Sequence, residues 1–557
     1  MALDSKNLDL FLLKLIIHSL IYFIKWSLLL KTGSLIKSKH RLLPIPYDIS
    51  NMKKPVSFLL LFLLPLSILA QKIDFKKLDV YFEQSRKDWN TPGMAVGIVK
   101  NGELIFAKGY GEKEIGKGVK PDENTLFAIA SNSKAFTSAA IALLVQEGKL
   151  GWNDKVKDHL PYFELYDPIV THMTTIRDIL SHRVGLGTFS GDVLWYLSEL
   201  SAEEIIKRAK HVKKAYEFRS GYGYSNVMYI TAGEIITKVT GKSWGEFINE
   251  RFLEPLGMHR SIYLLSELEE KGNYATPHGL HAGVNSPIPW ANWEHVAATG
   301  GLISSVKDLS NWLVFNMNDG IWGSDTLFSK GSRNIMWTPH NNFGVDHTNP
   351  AKTGDLMGYG LGWQLSDYKG HFKVSHTGGY DGMISAIQLF PNEKLGIIVL
   401  TNGLRAPIGA LPNYIADAFL TGKNNKDWSK DMLASRERRE KSDTRIADRK
   451  AARVANTQPA LSKEKMVGNY QSKLYGKIEV KQEGDILRVI YEHTPSYNCT
   501  LRHWHYDTWE IVWDVPQAWF EHGTIKFNFD NNMKILGLEF DVPNDDIFFE
   551  EIEAMKE

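Results

Sequence analysis

The run from Ala135 to Val145 is apolar on nearly every face of a helix and closes at Gly148. A helix with no polar side has to lie inside a core, with other elements packed around it. Leading into it is Ser131-Asn132-Ser133-Lys134. A serine three residues before a lysine sets both side chains on one helical face, one turn apart. There the amine takes the hydroxyl proton once burial or a cationic neighbour lowers its pKa. The serine also stands where the helix begins, so free backbone N–H groups and the positive end of the dipole face any developing oxyanion. The pattern predicts a serine hydrolase that works through a covalent acyl-enzyme.

Two further motifs follow in order, Tyr224-Ser225-Asn226 and His376-Thr377-Gly378. Each is weak alone. The SxxK spacing recurs at Ser34-Lys37, Ser304-Lys307 and Ser462-Lys465. Ser34 falls in a stretch expected to be missing from the mature protein, and Ser462 opens a charged connector. Ser304 to Asp308 reads as a surface helix start with a capping role. YxN occurs at Tyr224 alone, whereas Lys31-Thr32-Gly33 and Lys352-Thr353-Gly354 compete with the third motif. Lys352 lies in a polar run, Asn341 to Gly354, that has no strand pattern and reads as loop. His376 has strand context on both sides, from Phe372 to Ser375 and from Met383 to Phe390. That is where backbone lies alongside a substrate.

On these residues the chain resembles the serine β-lactamases of class C and their relatives among DD-peptidases, D-aminopeptidases and esterases, which share an SxxK serine. Gly148-Lys149-Leu150, Leu180 through Leu186, Pro255-Leu256-Gly257-Met258 and Thr299-Gly300-Gly301-Leu302 look like family landmarks in family order. The resemblance runs from about residue 75 to about residue 420. It implies that Ser131 is the nucleophile and that Lys134 and Tyr224 share the general-base and general-acid work. Asn226 would hold Lys134 and the substrate amide. His376, Thr377, Gly378 and Gly379 would line the substrate, with the N–H groups of Ser131 and Gly379 as oxyanion hole. His376 stands where the β-lactamases usually carry lysine, which argues against efficient β-lactamase activity and is similar to some DD-peptidases. With a reference pKa of ~6.5, a histidine there is expected to attract substrate carboxylates only below that pH. The implied fold is α/β (α+β), an antiparallel sheet flanked by helices with a helical subdomain inserted.

A chain of 557 residues is too long for one core and implies two or more domains. With 65 basic against 64 acidic residues, nothing in the charge calls for nucleic acid. Cys499 is the sole cysteine, so there is no disulfide framework and no zinc-finger spacing. No cofactor or metal is expected; the partner is a small-molecule or peptide substrate, and the oligomeric state is open. Met52-Lys53-Lys54, the apolar stretch Val56 to Leu69 and Ala70 have the make-up of a secretory signal peptide. Cleavage would leave Gln71 first in a soluble periplasmic or secreted protein. The apolar run from Phe11 to Leu30 is long enough for a membrane helix, but a complete signal peptide at Met52 favours a start codon assigned too far upstream. The expected organisation is therefore an N-terminal extension (1–51), a signal peptide (52–70), a hydrolase domain (71–425), a charged linker (426–458) and a C-terminal all-β domain (459–557).

Met94 to Val99, Asn101-Gly102 and Leu104 to Ala107 form a strong hairpin signal, and Gly382 to Leu400 forms a second around Pro391 to Lys394. Ala202 to Ala209, Val227 to Val239 and Trp244 to Leu253 are helix-patterned. Lys426 to Arg453 is densely charged and reads as a linker or solvated helix across which few core contacts pass. Beyond Pro459 come short alternating strands, with turns at Glu483-Gly484-Asp485 and Asp530-Asn531-Asn532, predicting a small antiparallel barrel. It resembles the lipocalin-like domain attached to some members of the family.

Three patterns imitate other chemistries. Gly241-Lys242-Ser243-Trp244-Gly245 matches a GxSxG elbow, but no strand feeds it, and Ser243 reads as a helix N-cap. His503-Trp504-His505-Tyr506-Asp507 imitates a metallo-hydrolase motif without its closing histidine and reads as the polar face of a strand. His278 and His281 read as polar contacts in a loop. The chain is therefore expected to be a hydrolase of amides or esters, with peptides, including those of D-amino acids, preferred. A small-ester esterase or weak β-lactamase is the nearest alternative. A penicillin-binding sensor that is acylated without turnover is the alternative of another class.

Overall fold

The computed structural model describes residues 73–281, 283–348 and 353–557. The expected N-terminal extension and signal peptide, with Ser34, Lys37 and Lys31-Thr32-Gly33, lie outside the described residues, as does Lys352. Among the described residues no helix is long and apolar enough to cross a membrane.

The chain enters through helix α1 (Phe75–Asp88), capped where Asp74 accepts from the Lys77 N–H at 3.0 Å. The two hairpins expected from the sequence follow as β1 (Gly93–Lys100) with β2 (Glu103–Gly111), and β7 (Met383–Phe390) with β8 (Leu395–Thr401). Between them come β3 (Asn341–Asn342), β4 (Met357–Tyr359), β5 (Gln364–Tyr368) and β6 (His371–Tyr380). These eight strands form one antiparallel sheet in the order β2-β1-β8-β7-β6-β5-β4-β3. The polar run read as loop thus contributes a short edge strand at Asn341–Asn342.

The central strand β8 is buried along its whole length, and its period of two serves two cores. Ile397 and Val399 join Leu78, Phe82 and Leu411 on one face, while Ile398 and Leu400 join Leu309 and Leu313 on the other. In the core on the second face α2 (Ser133–Gln146) and α3 (Asn226–Thr240) pack against each other, and α4 (Val306–Met317) packs against β1, β2 and β8. Every residue of α2 from Ser133 to Leu144 is buried, as its all-round apolar surface required. Ser243 caps the helix Trp244–Ile248 in a capping box with Glu246. Two local expectations need correction. The helix start expected within Ser304 to Asp308 is there, with Ser305 as the cap of α4, but the helix is mostly buried and not at the surface; Ser304 is a buried strand residue bonded to Ser261 Oγ at 2.7 Å. His278 is not in a loop but on a strand, buried, donating through Nδ1 to Asn402 O at 2.9 Å and accepting from Ile115 N at 3.2 Å.

Beyond α5 (Ala410–Ala416), the charged stretch forms α6 (Trp428–Ser442) and α7 (Arg445–Ala451). Trp428 anchors α6 by donating to Asp417 Oδ2 at 2.8 Å. From α7, Arg449 binds both oxygens of Asp541 at 2.6 and 2.7 Å, a bidentate clamp onto the C-terminal domain. That domain is a closed eight-stranded barrel: β9 (Gly468–Ser472), β10 (Gly476–Glu483), β11 (Ile486–Tyr491), β12 (Cys499–His505), β13 (Thr508–Trp513), β14 (Thr524–Phe529), β15 (Ile535–Asp541) and β16 (Ala554–Lys556). β16 closes it against β9, pairing Lys556 with Tyr470. The motif at His503 sits on β12 and its turn. His503 Nε2 donates to Tyr506 O at 2.8 Å, His505 Nδ1 accepts from Val454 N at 3.2 Å, and Asp507 accepts from Ala460 N at 2.8 Å.

The expectation of few contacts across the connector is overturned. The barrel packs directly on the first domain in one continuous apolar core. Tyr497 donates to Tyr196 O at 3.3 Å, Glu551 accepts from Gly191 N at 2.7 Å, and Glu199 N donates to His493 O at 2.7 Å. The docking residues are scattered singly along the sequence, so the charged connector carries no sign of them.

Candidate active site

Ser131 lies in the single 3₁₀ turn Ala130–Asn132 that feeds α2. Residues three apart are eclipsed in a 3₁₀ turn, so Ser131 and Lys134 still meet. Ala130, immediately before the serine, has φ 47°, a left-handed conformation held only where its surroundings over-determine it. Those surroundings are on β7 and β6. Ser385 Oγ donates to Ile129 O at 2.7 Å and accepts from Asn132 Nδ2 at 2.8 Å. At Gly378 on β6 a Cβ would stand 2.2 Å from Ile129 O. Only glycine lets this strand lie so close to the serine turn.

Lys134 is buried, with its Nζ 3.0 Å from Ser131 Oγ. It donates to Asn226 Oδ1 and to Thr299 O, both at 2.7 Å. Asn226 Oδ1 also accepts from Thr299 Oγ1 at 2.8 Å, while Asn226 Nδ2 donates to Asp192 Oδ2 at 2.6 Å. Burial holds the Lys134 amine well below the usual lysine range, against the opposing charge of Asp192. Burial likewise pushes the Asp192 carboxyl well up. Tyr224 presents its ring 4.9 Å from Lys134 Nζ. Burial pushes its phenol well above the usual tyrosine range, and the contact with Ser131 only partly offsets this. The ring of buried His182 lies 4.4 Å from that of Tyr224, and its Nδ1 accepts from Ser225 N at 3.0 Å, fixing the backbone that carries the tyrosine.

The structure thus gathers Ser131, Lys134, Tyr224 and Asn226 at one point. Ser131, Tyr224 and Asn226, with Thr377 and Gly379, line a cavity of about 340 Å³; Lys134 is not among its lining residues, and Gly378 faces the serine turn instead. His376 also borders the cavity but behaves differently from expectation. Its Nδ1 is 2.6 Å from Thr377 O, which only accepts, so Nδ1 carries the proton and Nε2 accepts from Tyr359 OH at 3.0 Å. Both ring nitrogens are used inside the protein. Burial, then the charge of Lys134, lowers its pKa to about 3. The expected switch near pH 6.5 is therefore absent, because the ring is shut away from water.

Several residues of the site escaped the sequence motifs. Thr299 stood only as a landmark, and His182 likewise. Asp192, Trp195 and Tyr359 belong to no motif. Trp519, Asp546 and Ile547 reach the cavity from the barrel, and no local pattern marks them. Among the described residues no group of three or more His, Cys, Asp or Glu side chains is placed to hold a metal ion.

A family model described as beta-lactamase matches residues 78–418. The chain belongs to the β-lactamase family. A second model, a domain of unknown function called DUF3471, matches residues 452–556, the connector end and barrel. The chain is 30% identical over 334 residues to an unguisins hydrolase of Aspergillus campestris, covering 58% of this chain and 60% of that protein. It is 29% identical over 349 residues to protein flp of Staphylococcus aureus, covering 59% and 63%. The match therefore spans less than two thirds of either relative. Among solved structures, an octameric penicillin-binding protein homologue from Pyrococcus abyssi shares the fold at a TM-score of 0.58 and 24% identity, over 87% of this chain and all of that one (100%). A D-stereospecific amidohydrolase from Streptomyces shares it at 0.51 and 19%, over 63% and 99%. The β-lactamase-like family is one of serine hydrolases.

Proposed function

We propose that this protein cleaves an amide or ester through an acyl-Ser131 intermediate, with peptides as preferred substrates. The observation that carries this reading is the surroundings of the Lys134 amine. Asn226 Oδ1 and Thr299 O can only accept. A neutral amine donates its two N–H groups to them and keeps one lone pair for the Ser131 hydroxyl. Burial favours that neutral form. Lys134 takes the hydroxyl proton as Oγ bonds to the carbonyl carbon, and the carbonyl electron pair moves onto oxygen, facing the N–H groups of Ser131 and Gly379. Tyr224, kept protonated by burial, gives its proton to the leaving amine or alkoxide as that bond breaks, and the Lys134 ammonium returns it. Water then bonds to the acyl carbon, losing a proton to the same base, and Ser131 Oγ takes that proton back as its bond to the acyl carbon breaks.

The cavity is lined by neither lysine nor arginine, which disfavours β-lactams because their carboxylate calls for a cation. A relative named as a hydrolase is in keeping with this hydrolytic reading. We also propose export through the signal peptide ending at Ala70, which N-terminal sequencing of the secreted protein tests: a mature chain should start near Gln71. For the chemistry, a fluorophosphonate should add to Ser131, and a chromogenic ester should be hydrolysed with multiple turnovers. An adduct on Ser243 or Ser304 would sink the assignment. Labelling of Ser131 without turnover would favour the acylated-sensor reading.

A further inference from the structure

The cavity in front of Ser131 carries two carboxylates, Asp192 and Asp546, and one of them comes from the barrel. Asp192 is 2% exposed. Its Oδ2 is taken by Asn226, and its Oδ1 has only the indole N–H of the adjacent Trp195 near it, too poorly placed for a well-formed hydrogen bond. A buried carboxylate oxygen with so poor a donor is costly, and a ligand that supplies a better one removes the cost.

Asp546 is presented by a rigid loop between β15 and β16. Asn544 Oδ1 accepts from the N–H groups of Asp546 at 2.9 Å and Ile547 at 2.6 Å, while its Nδ2 donates to Val542 O and Ile547 O. From α7, Arg445 fastens the same loop through Asn544 O at 3.0 Å and Asp545 Oδ1 at 2.9 Å. The Asp546 carboxylate itself has no hydrogen-bond or ion-pair partner among the described residues. The rings of Trp195, Tyr196, Trp293 and Trp519 complete the wall, Trp195 and Trp293 meeting edge to face at 5.1 Å. Carboxylates set among aromatic faces, in a cavity whose lining holds no lysine or arginine, suit an organic ammonium ion, which gains from the charge and from the rings together.

Resting on the serine-hydrolase reading, we propose that this part of the cavity is a subsite for a primary ammonium group of the substrate, held by Asp546 and by Asp192 Oδ1 against the aromatic wall. The ammonium is either the free N-terminus of a peptide or an amine at the end of its side chain. Burial and Asp545 push the Asp546 carboxyl up to about 6, so it is ionised at neutral pH, and its charge raises Asp192 further. An arriving cation relieves that repulsion.

The test uses the full chain and Asp546→Asn, which keeps the side chain's shape. Calorimetry on a Ser131→Ala background reads binding without chemistry, comparing phenylalaninamide with N-acetylphenylalaninamide, and N-acetyl-lysinamide with N-acetyl-norleucinamide. One amine should bind about tenfold more tightly than its neutral partner, and Asp546→Asn should remove most of that difference. Whichever pair responds identifies the N-terminus or the side chain as the source. Equal binding of amine and neutral partner in both pairs, or a preference that Asp546→Asn leaves intact, overturns the subsite. Failure of the wild type to turn over any ester or amide, with the amine preference intact, overturns the hydrolase reading and leaves the subsite standing.

Discussion

Trp519 of the barrel donates its indole N–H to Asp381 Oδ1 at 2.7 Å, immediately beyond the strand that carries His376 and Gly379. The same oxygen accepts from Tyr196 OH at 2.9 Å. The outer edge of the Trp519 ring lies 3.3 Å from where a Cβ would sit on Gly379. One barrel residue is thereby bonded to the segment that shapes the cavity floor, and barrel docking and site geometry become the same event.

Trp519→Phe should keep the ring packing and lose this hydrogen bond. The expected cost is about 1–3 kcal/mol, because Asp381 is buried and surrenders one of its two donors. Chemical denaturation measures it, and KM should rise more than kcat falls. A chain ending near Lys426 should be insoluble or inactive, since it uncovers Tyr196, which is 1% exposed in the whole protein. A soluble, fully active truncation would mean that the barrel does not shape the site.

Asp381 also makes stability depend on pH in an unusual direction. Burial raises its pKa from 3.8 to about 6 in the folded protein, against the opposing hydrogen bonds from Tyr196 and Trp519. The folded state therefore holds more protons than the unfolded one between those values. Its contribution is fully present below the unfolded pKa and is lost as pH rises through about 6. That rise corresponds to roughly 3 kcal/mol. Asp381→Asn retains an oxygen for both donors and does not titrate. Relative to wild type, it should lose less stability between pH 4 and pH 8, read as denaturation midpoints across that range. Parallel profiles would show that Asp381 is not the titrating group.

How far the sequence spoke for the fold depended on the distance over which each feature is determined. The two hairpins, the buried α2 and the cap at Ser243 follow from turn residues and periodicity within a few positions, and all were legible. Ser131, Lys134, Tyr224 and Asn226 were legible as motifs, because three short strings occur in order. The Trp519–Asp381 and Tyr497–Tyr196 bonds join residues 138 and 301 positions apart, and nothing local marks either end. His376 was legible as a position but not in its chemistry. Its pKa depends on burial and on Tyr359, Thr377 and Lys134, which only the folded chain assembles.

The division of labour between Lys134 and Tyr224 gives a third expectation. Lys134→Ala and Tyr224→Phe should each lower kcat/KM by about a hundredfold or more, as is usual for general acid–base groups. The two should differ with the leaving group. A nitrophenolate departs without a proton, so Tyr224→Phe should recover much of its loss on a nitrophenyl ester, whereas Lys134→Ala should not. Equal losses on amide and activated ester would assign Tyr224 to proton abstraction from Ser131 instead.

The last expectation concerns His376, where the structure reverses what a sequence comparison suggests. Replacing it by lysine would seem to restore the cationic residue usual at this place in β-lactamases. However, the side chain is 2% exposed, and Lys134 already bears on it electrostatically. A second amine there meets Tyr359 OH and Thr377 O but no carboxylate partner. Keeping it charged costs several kcal/mol of desolvation and like-charge repulsion, and keeping it neutral forfeits the reason for the change. His376→Lys should therefore destabilise the protein by roughly 2 kcal/mol or more and lower activity on acidic and neutral substrates alike. Wild-type His376 should show no titration between pH 5 and 8 in proton NMR, since its pKa lies at about 3. A chemical-shift inflection near 6.5, or a gain in KM confined to carboxylate-bearing substrates in the lysine variant, would place the ring at the substrate after all.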